Sequence, residues 1–413
     1  MKLFGTKQSK KRFNNRFYKN FFVFIYCFFI SFASRAQLIE NEPFIETLAF
    51  SGITFQGGKP ERASLYPFSS ALVEEHQLAR NLFTMLKTDP PANFQISPRI
   101  LDKDKGQRFA IALMIDGEYI SEESFVVDGV RQHRLMAALS AQIVMFDVIH
   151  SQFIAAFPLK PVDLRSIYNR PPTQQQIKQQ ILKLLVKGGS EIPSLLQQFV
   201  RLLKDSQGPK SAGLAQLAVS SVTIKDKAQS ILPKIFKEKN NGALKRFVAQ
   251  QLLKNISQQW QVATQPYVVD ASILKMQSRF TGKDVTFNLE LPKPLFSIDY
   301  TLRGFKNVVL DKKKSGETVL FVSFSKFDVS KTSKGKETVF SNNLKNAVSK
   351  VIPRSLDNID EWAAYRESLL ALLQKTSSDL HNSRSEFYKA QSINSKVKKQ
   401  IVKLEKAYQL CKL

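Results

Sequence analysis

Histidine is the residue best suited to proton transfer or metal ligation, and the four in this chain are not spaced for either. His76 falls in a helical pattern, His133 in a loop, His150 at a hairpin turn and His381 near the carboxy-terminal helix; none forms an HExxH pair. Zinc sites draw on clustered His and Cys, yet cysteine occurs only at Cys27 and Cys411. The expectation is no metal and no cofactor, with each histidine solvated or structural. Ser-x-x-Lys, the spacing that opens a penicillin-recognising serine site, occurs at Ser323/Lys326, Ser333/Lys336 and Ser395/Lys398. All lie in a stretch rich in both residue types, and no Ser-Asp-Asn box accompanies them. The sequence holds no G-x-S-x-G and no Walker loop. Asp147 in "MFDV" and Asp328 in "KFDV" are the remaining candidates for acid and base work. An aspartate ending a hairpin strand commonly bonds its own turn backbone, so a structural role is expected for both. The chain therefore reads as non-enzymatic.

Charge is more informative. The net charge is +26, and it is unevenly placed: residues 37–200 hold 16 basic and 17 acidic residues, whereas 201–413 hold 37 and 18. A polycationic half argues about partners rather than fold. Its lysines gather in the turns "DKKKSGE" and "SKTSKGKE", which makes Lys312, Lys313, Lys314, Lys331, Lys334 and Lys336 the expected binding residues. The corresponding turns of the first half, "ISEESFVVDG" and "DVIHSQ", lack them.

Compartment decides what such lysines would meet. Residues 1–36 run from a basic segment through the apolar "FFVFIYCFFISF" to "ASRA", the order of a secretory signal with cleavage before Gln37. The apolar run of 12 is short of the roughly 18 residues a spanning helix needs. The mature chain is thus expected to be soluble, periplasmic or extracellular, with Cys411 its one thiol. The expected partner is an anionic envelope component, whether lipid, lipopolysaccharide or wall polymer, or an acidic protein. Nucleic acid requires the export reading to fail, and the basic turns lack the aromatics of a base-stacking groove.

At 413 residues, with 43% hydrophobic and 23% charged residues, the chain is expected to fold as two or three globular domains. "LAFSGITF" (48–55) alternates as a half-buried strand, and "LAVSSVTI" (217–224) nearly repeats it. "EEHQLARNLFTMLK" and "KRFVAQQLLKNIS" then read as helices, and "FQISPRIL" and "YVVDASIL" as strands. The alternating pairs "FAIALMID"/"EYISEESF" and "VTFNLELP"/"LFSIDYTL" follow, then "LSAQIVMFDV" and "LFVSFSKFDV". "TQQQIKQQILKLLV" and "DEWAAYRESLLALLQ" close the two series as helices. The matches are collinear, so the expected fold is α+β, two tandem copies of a strand-helix-antiparallel-sheet-helix module. The divisions are a signal at 1–36, a first module at 37–203 with a bracing helix, a linker at 204–213, a second module at 214–376 and a carboxy-terminal helix at 377–413. This element order is similar to that of the TolB amino-terminal domain and of curli-secretion lipoproteins, in order alone and without a diagnostic motif. A likeness of that kind implies no function.

In the last segment Leu380, Phe387, Asn394, Ile401 and Tyr408 recur every seven residues, with Ala390, Val397, Leu404 and Cys411 between them. Such a stripe either packs on its own domain or pairs two tails, giving a weak homodimer through Cys411. Taken together, the sequence leads to an exported cell-envelope binding or scaffold protein whose basic second module engages an anionic surface or partner. The alternatives are an enzyme acting on envelope polymer at a cleft between modules and, without export, a nucleic-acid-binding protein.

Overall fold

The computed structural model describes residues 46–57, 65–98, 108–127, 129–189, 192–204, 217–232, 242–260, 264–268, 273–279, 284–332, 337–354, 361–378 and 396–411, with isolated positions between them. The expected signal at 1–36, residues 205–213 of the expected linker, His381, Lys334 and Lys336 lie outside them.

β1 (Glu46–Gln56) sends Leu48, Phe50, Ile53 and Phe55 to one side and Ala49, Thr54 and Gln56 to the other. A bulge at Ser51 and Gly52 lets the apolar side resume after Phe50, and Gly52 takes a φ of 84° that only glycine adopts without strain. Two helices follow, α1 (Ser69–Glu75) and α2 (Leu78–Thr88). The sequence read one helix across them, but it breaks at His76 and Gln77, where Gln77 is left-handed with φ 49°. Next come β2 (Phe94–Ser97), β3 (Phe109–Val127), β4 (Val130–Asp147), β5 (Gln152–Pro158) and β6 (Val162–Tyr168). "FAIALMID" and "EYISEESF" are therefore one long strand, and His133 lies in a strand, not a loop. α3 (Gln174–Val186) starts at a capping box in which Thr173 and Gln176 satisfy each other's backbone N–H groups. α4 (Leu195–Lys204) starts with the same exchange between Ser194 and Gln197.

The remaining elements are β7 (Leu217–Ile224), α5 (Asp226–Gln229), α6 (Gly242–Trp260), β8 (Ile273–Arg279), β9 (Asp284–Glu290), β10 (Phe296–Lys313), β11 (Gly316–Lys331), β12 (Glu337–Pro353), α7 (Glu361–Ser378) and α8 (Lys396–Gln409). They overturn the expected α+β pair of tandem modules. One mixed sheet has eight strands in the order β2-β1-β3-β4-β5-β9-β8, with β6 added on β4, and the other has four in the order β12-β11-β10-β7. β8 and β9, assigned by the sequence reading to the second copy, complete the first sheet instead. β8 pairs with β1 and β9 touches β5, so that sheet curls back on itself. The physical reason is that alternation fixes which side chains face a core, not which strand lies alongside. Leu274, Met276 and Leu289 could line either sheet, and they fill the inside of the curl with Ala110, Ala112, Met114 and Phe146.

The other side of the large sheet is covered by α1 to α4. The small sheet packs one face on α6, α7 and α8 through Phe321, Phe327, Tyr365 and Leu369. The two regions interlock. Gln250 of α6 donates to Gln56 of β1, whose amide donates to the Tyr267 carbonyl. The buried Arg366 of α7 lies 3.7 Å over the Tyr119 ring of β3 and 5.2 Å from Phe247 of α6.

The described end of the carboxy-terminal stripe, from Ile401 on, is spent inside this core. Ile401, Leu404 and Ala407 are buried, Tyr408 meets Trp260 edge-on at 4.4 Å, and Cys411 is 2% exposed. Burial pushes the Cys411 thiol up to about 12. Among the described residues no helix is long and apolar enough to cross a membrane.

Candidate binding surface

The long β10–β11 hairpin places the first lysine cluster. β10 is mostly buried from Phe296 to Phe305, but its last eight residues, Lys306 to Lys313, are all exposed. The change has a topological cause: β7 flanks β10 only between Phe296 and Leu302, so beyond that point β10 is an edge strand. A bulge at Arg303 just before this stretch and another at Leu310 within it interrupt the pairing with β11.

The two faces of the small sheet differ. Val319, Phe321 and Phe327 point to the helices. Residues between them in β11 alternate outward, where the register sets Leu320 between Val308 of β10 and Ser349 of β12, and Thr318 between Asp311 and Val351. No helix of the second core packs on Val308 or Leu320. Val351 is 73% exposed and Leu310 58%. The sequence reading missed these residues, although "NVVLDKKK" carries the signal: three consecutive apolar residues violate alternation beside a run of lysines.

Lys312, Lys313 and Lys314 sit at the turn of this hairpin. Lys312 pairs with Glu317 at 3.2 Å and Lys313 with Asp311 at 3.3 Å, exposed contacts that water screens. From Arg303 to Glu317 there are five basic residues and two acidic ones, so positive charge remains after both pairs form. Lys331 lies at the far end of β11, about 50 Å away at strand rise. The structure thus separates Lys331 from the Lys312–Lys314 cluster, sets Lys306 on the same exposed arm as that cluster, and leaves Arg303 partway between the two ends.

The other candidates resolve into structural roles. Ser323 faces the core, with its hydroxyl 2.6 Å from that of Ser368, while Lys326 is exposed. Three residues apart on a strand they point to opposite faces, so they make no Ser–Lys dyad. Ser333 and Ser395 lie outside the described residues. Asp147 accepts from the backbone N–H of Ile149 and of His150, both at 2.9 Å, from Arg108 Nε at 2.6 Å, and contacts His150 Nδ1 at 2.8 Å. Burial alone would raise this carboxyl; the hydrogen bonds outweigh it and hold it at about 2. Asp328 accepts from the Ser341 hydroxyl and pairs with Lys326 at 2.9 Å. His133 Nδ1 lies 3.1 Å from Glu122. Glu118 receives the backbone N–H of Phe68 and of Ser69 at the start of α1.

One cluster had no sequence signal. Asp116 is the extra residue of a bulge between Ile115 and Gly117, and Ser140 Oγ donates to it at 2.6 Å. Burial pushes its carboxyl up to about 6, against the pull of Ser140 and of the Lys254 ammonium. Burial also pushes Lys254 of α6 down to about 8, opposed by Asp116. Residues so distant in sequence come within electrostatic reach of each other because α6 packs beside the large sheet. Among the described residues no group of three or more His, Cys, Asp or Glu is placed to hold a metal ion.

No family model and no curated protein matches this chain. Among solved structures, a crystal structure of a neuraminyllactose-binding hemagglutinin homologue from Helicobacter pylori is similar at 14% identity and a TM-score of 0.25, over 43% of this chain and 89% of that one. A likeness that slight carries no argument about fold or function.

Proposed function

We propose that the protein is an exported cell-envelope binding protein that engages an anionic surface through the basic end of its small sheet. The observation that carries this reading is the exposed arm of β10, where five basic residues between Arg303 and Glu317 meet only two acidic ones. Unneutralised lysines at an edge supply long-range attraction and fast association to a negative partner. The large sheet and its helices then act as a rigid mount. The signal-like segment at residues 1–36 gives the envelope as the compartment.

Two measurements test the reading. Fractionation with amino-terminal sequencing should recover a chain starting near Gln37 outside the cytoplasm. Retention of the full chain on immobilised inorganic polyphosphate should fall steeply with salt, because exposed charges are screened over about 8 Å at physiological ionic strength. A cytoplasmic chain would remove the compartment, and a chain that ignores polyphosphate at low salt would remove the electrostatic role.

A further inference from the structure

We infer that the anionic surface this protein recognises is a lipid bilayer, and that the outward face of the small sheet lies on it with apolar side chains at the headgroup level. The inference rests on the electrostatic reading above and adds a second contact to it. Lysines alone would serve for any polyanion. This surface also exposes Val308 of β10 and Val351 of β12, with Leu320 between the strands and Leu310 exposed at the bulge beside them. A soluble anionic polymer gives these side chains nothing to bury, whereas a bilayer interface does. The two chemistries are interleaved: the register sets Lys306 and Val308 on the same outward face, two residues apart.

The geometry also sets the orientation. Lys312, Lys313 and Lys314 occupy the turn itself, so plunging the hairpin tip-first would carry three ammonium groups deepest. Lying on the outward face keeps those lysines among the headgroups and turns Val308 and Val351 toward the acyl boundary. Lys331 at the other end of β11 is too distant to share a small patch of contact.

The test is flotation of the full chain with phosphatidylcholine vesicles, with and without phosphatidylglycerol, alongside retention on polyphosphate. Comparison with neutral vesicles subtracts whatever the apolar run before residue 36 contributes. The triple variant Val308→Ser, Leu310→Ser, Val351→Ser should lose anionic-vesicle affinity by about tenfold or more, since each exposed side chain gains partial burial, while keeping wild-type retention on polyphosphate. A second variant, Val351→Trp, should show a blue-shifted emission with anionic vesicles and none with polyphosphate. If the triple variant floats like wild type, or Val351→Trp shows no shift while the chain floats, the bilayer inference falls and the electrostatic reading stands. Retention of the wild type by polyphosphate without flotation would likewise overturn the bilayer inference alone. If neither probe binds, both fall.

Discussion

Two long hairpins dominate this molecule, and they spend their ends differently. β3–β4 carries Glu118, Glu122, Glu123 and Asp128 against Arg131 and Arg134 between residues 118 and 134. Its charges are largely matched in place: Glu122 faces His133, Glu123 pairs with Arg134 at 3.1 Å, and Glu118 caps α1. β10–β11 instead ends in an excess of lysine beside exposed valines. Even the same backbone device is used in opposite ways. A bulge followed by glycine sets Asp116 against the Ser140 hydroxyl, while a bulge followed by glycine leaves Arg303 exposed, donating to Asn343 at 3.0 Å. The hairpin end of the large sheet pairs most of its charges within the fold, and that of the small sheet presents an excess of lysine.

If that contrast is real, damage should separate into loss of stability on one side and loss of binding on the other. The largest stability effect should come from Arg366→Ala, which empties the contact joining the regions at Tyr119 and Phe247. Loss of a desolvated cation–π contact and of packed methylenes should cost about 2–3 kcal/mol in urea denaturation. Asp147→Ala should follow at about 2 kcal/mol, because a carboxyl held near 2 stabilises the fold at neutral pH. That contribution is present above the unfolded value and should fade in the wild type as pH falls from about 4 toward 2. Asp328→Ala, at the comparable strand position of the small sheet, should cost under about 1 kcal/mol, since its partner Lys326 is exposed.

Asp116 has the opposite sign. Its folded value of about 6 lies above the unfolded one, so the native chain holds a proton that the unfolded chain releases. Wild-type stability should therefore fall as pH rises from about 4 to 6, and Asp116→Asn should flatten that slope by roughly 2 kcal/mol. Arg303→Gln should leave the slope alone. A similarly small effect should come from Cys411→Ser, about 1 kcal/mol for a hydroxyl replacing a buried thiol. Sedimentation without reductant should show the wild type as a monomer, because Ile401, Leu404, Tyr408 and Cys411 are already packed in the core beside Trp260.

Much of the local structure was legible in the chain. Leu48, Phe50, Ile53 and Phe55 mark a strand, although the structure buries both of its faces and not one, and Thr173 with Gln176 marks the start of α3. What alternation leaves open is the neighbour across the ladder. Leu274 and Leu289 suit any apolar face, so nothing local sends β8 and β9 to the large sheet. The lysine cluster at residues 312–314 was visible as composition, whereas its isolation from Lys331 needed the length of β11. Asp116 and Lys254 gave no sign because their approach depends on the packing of α6.

The central claim is that the basic end of the small sheet, and not net charge in general, makes the contact with an anionic surface. Flotation with phosphatidylglycerol-containing vesicles should compare two variants with equal loss of positive charge. One replaces Lys306, Lys312, Lys313 and Lys314 by Gln; the other replaces Lys178, Lys183, Lys187 and Lys204, which lie on α3, at its C-cap and on α4 beside the large sheet. At up to about 1 kcal/mol per lysine at the surface, the first should lose affinity by well over tenfold and the second should bind like wild type. Equal losses from both would mean that net charge alone drives binding and would contradict the account.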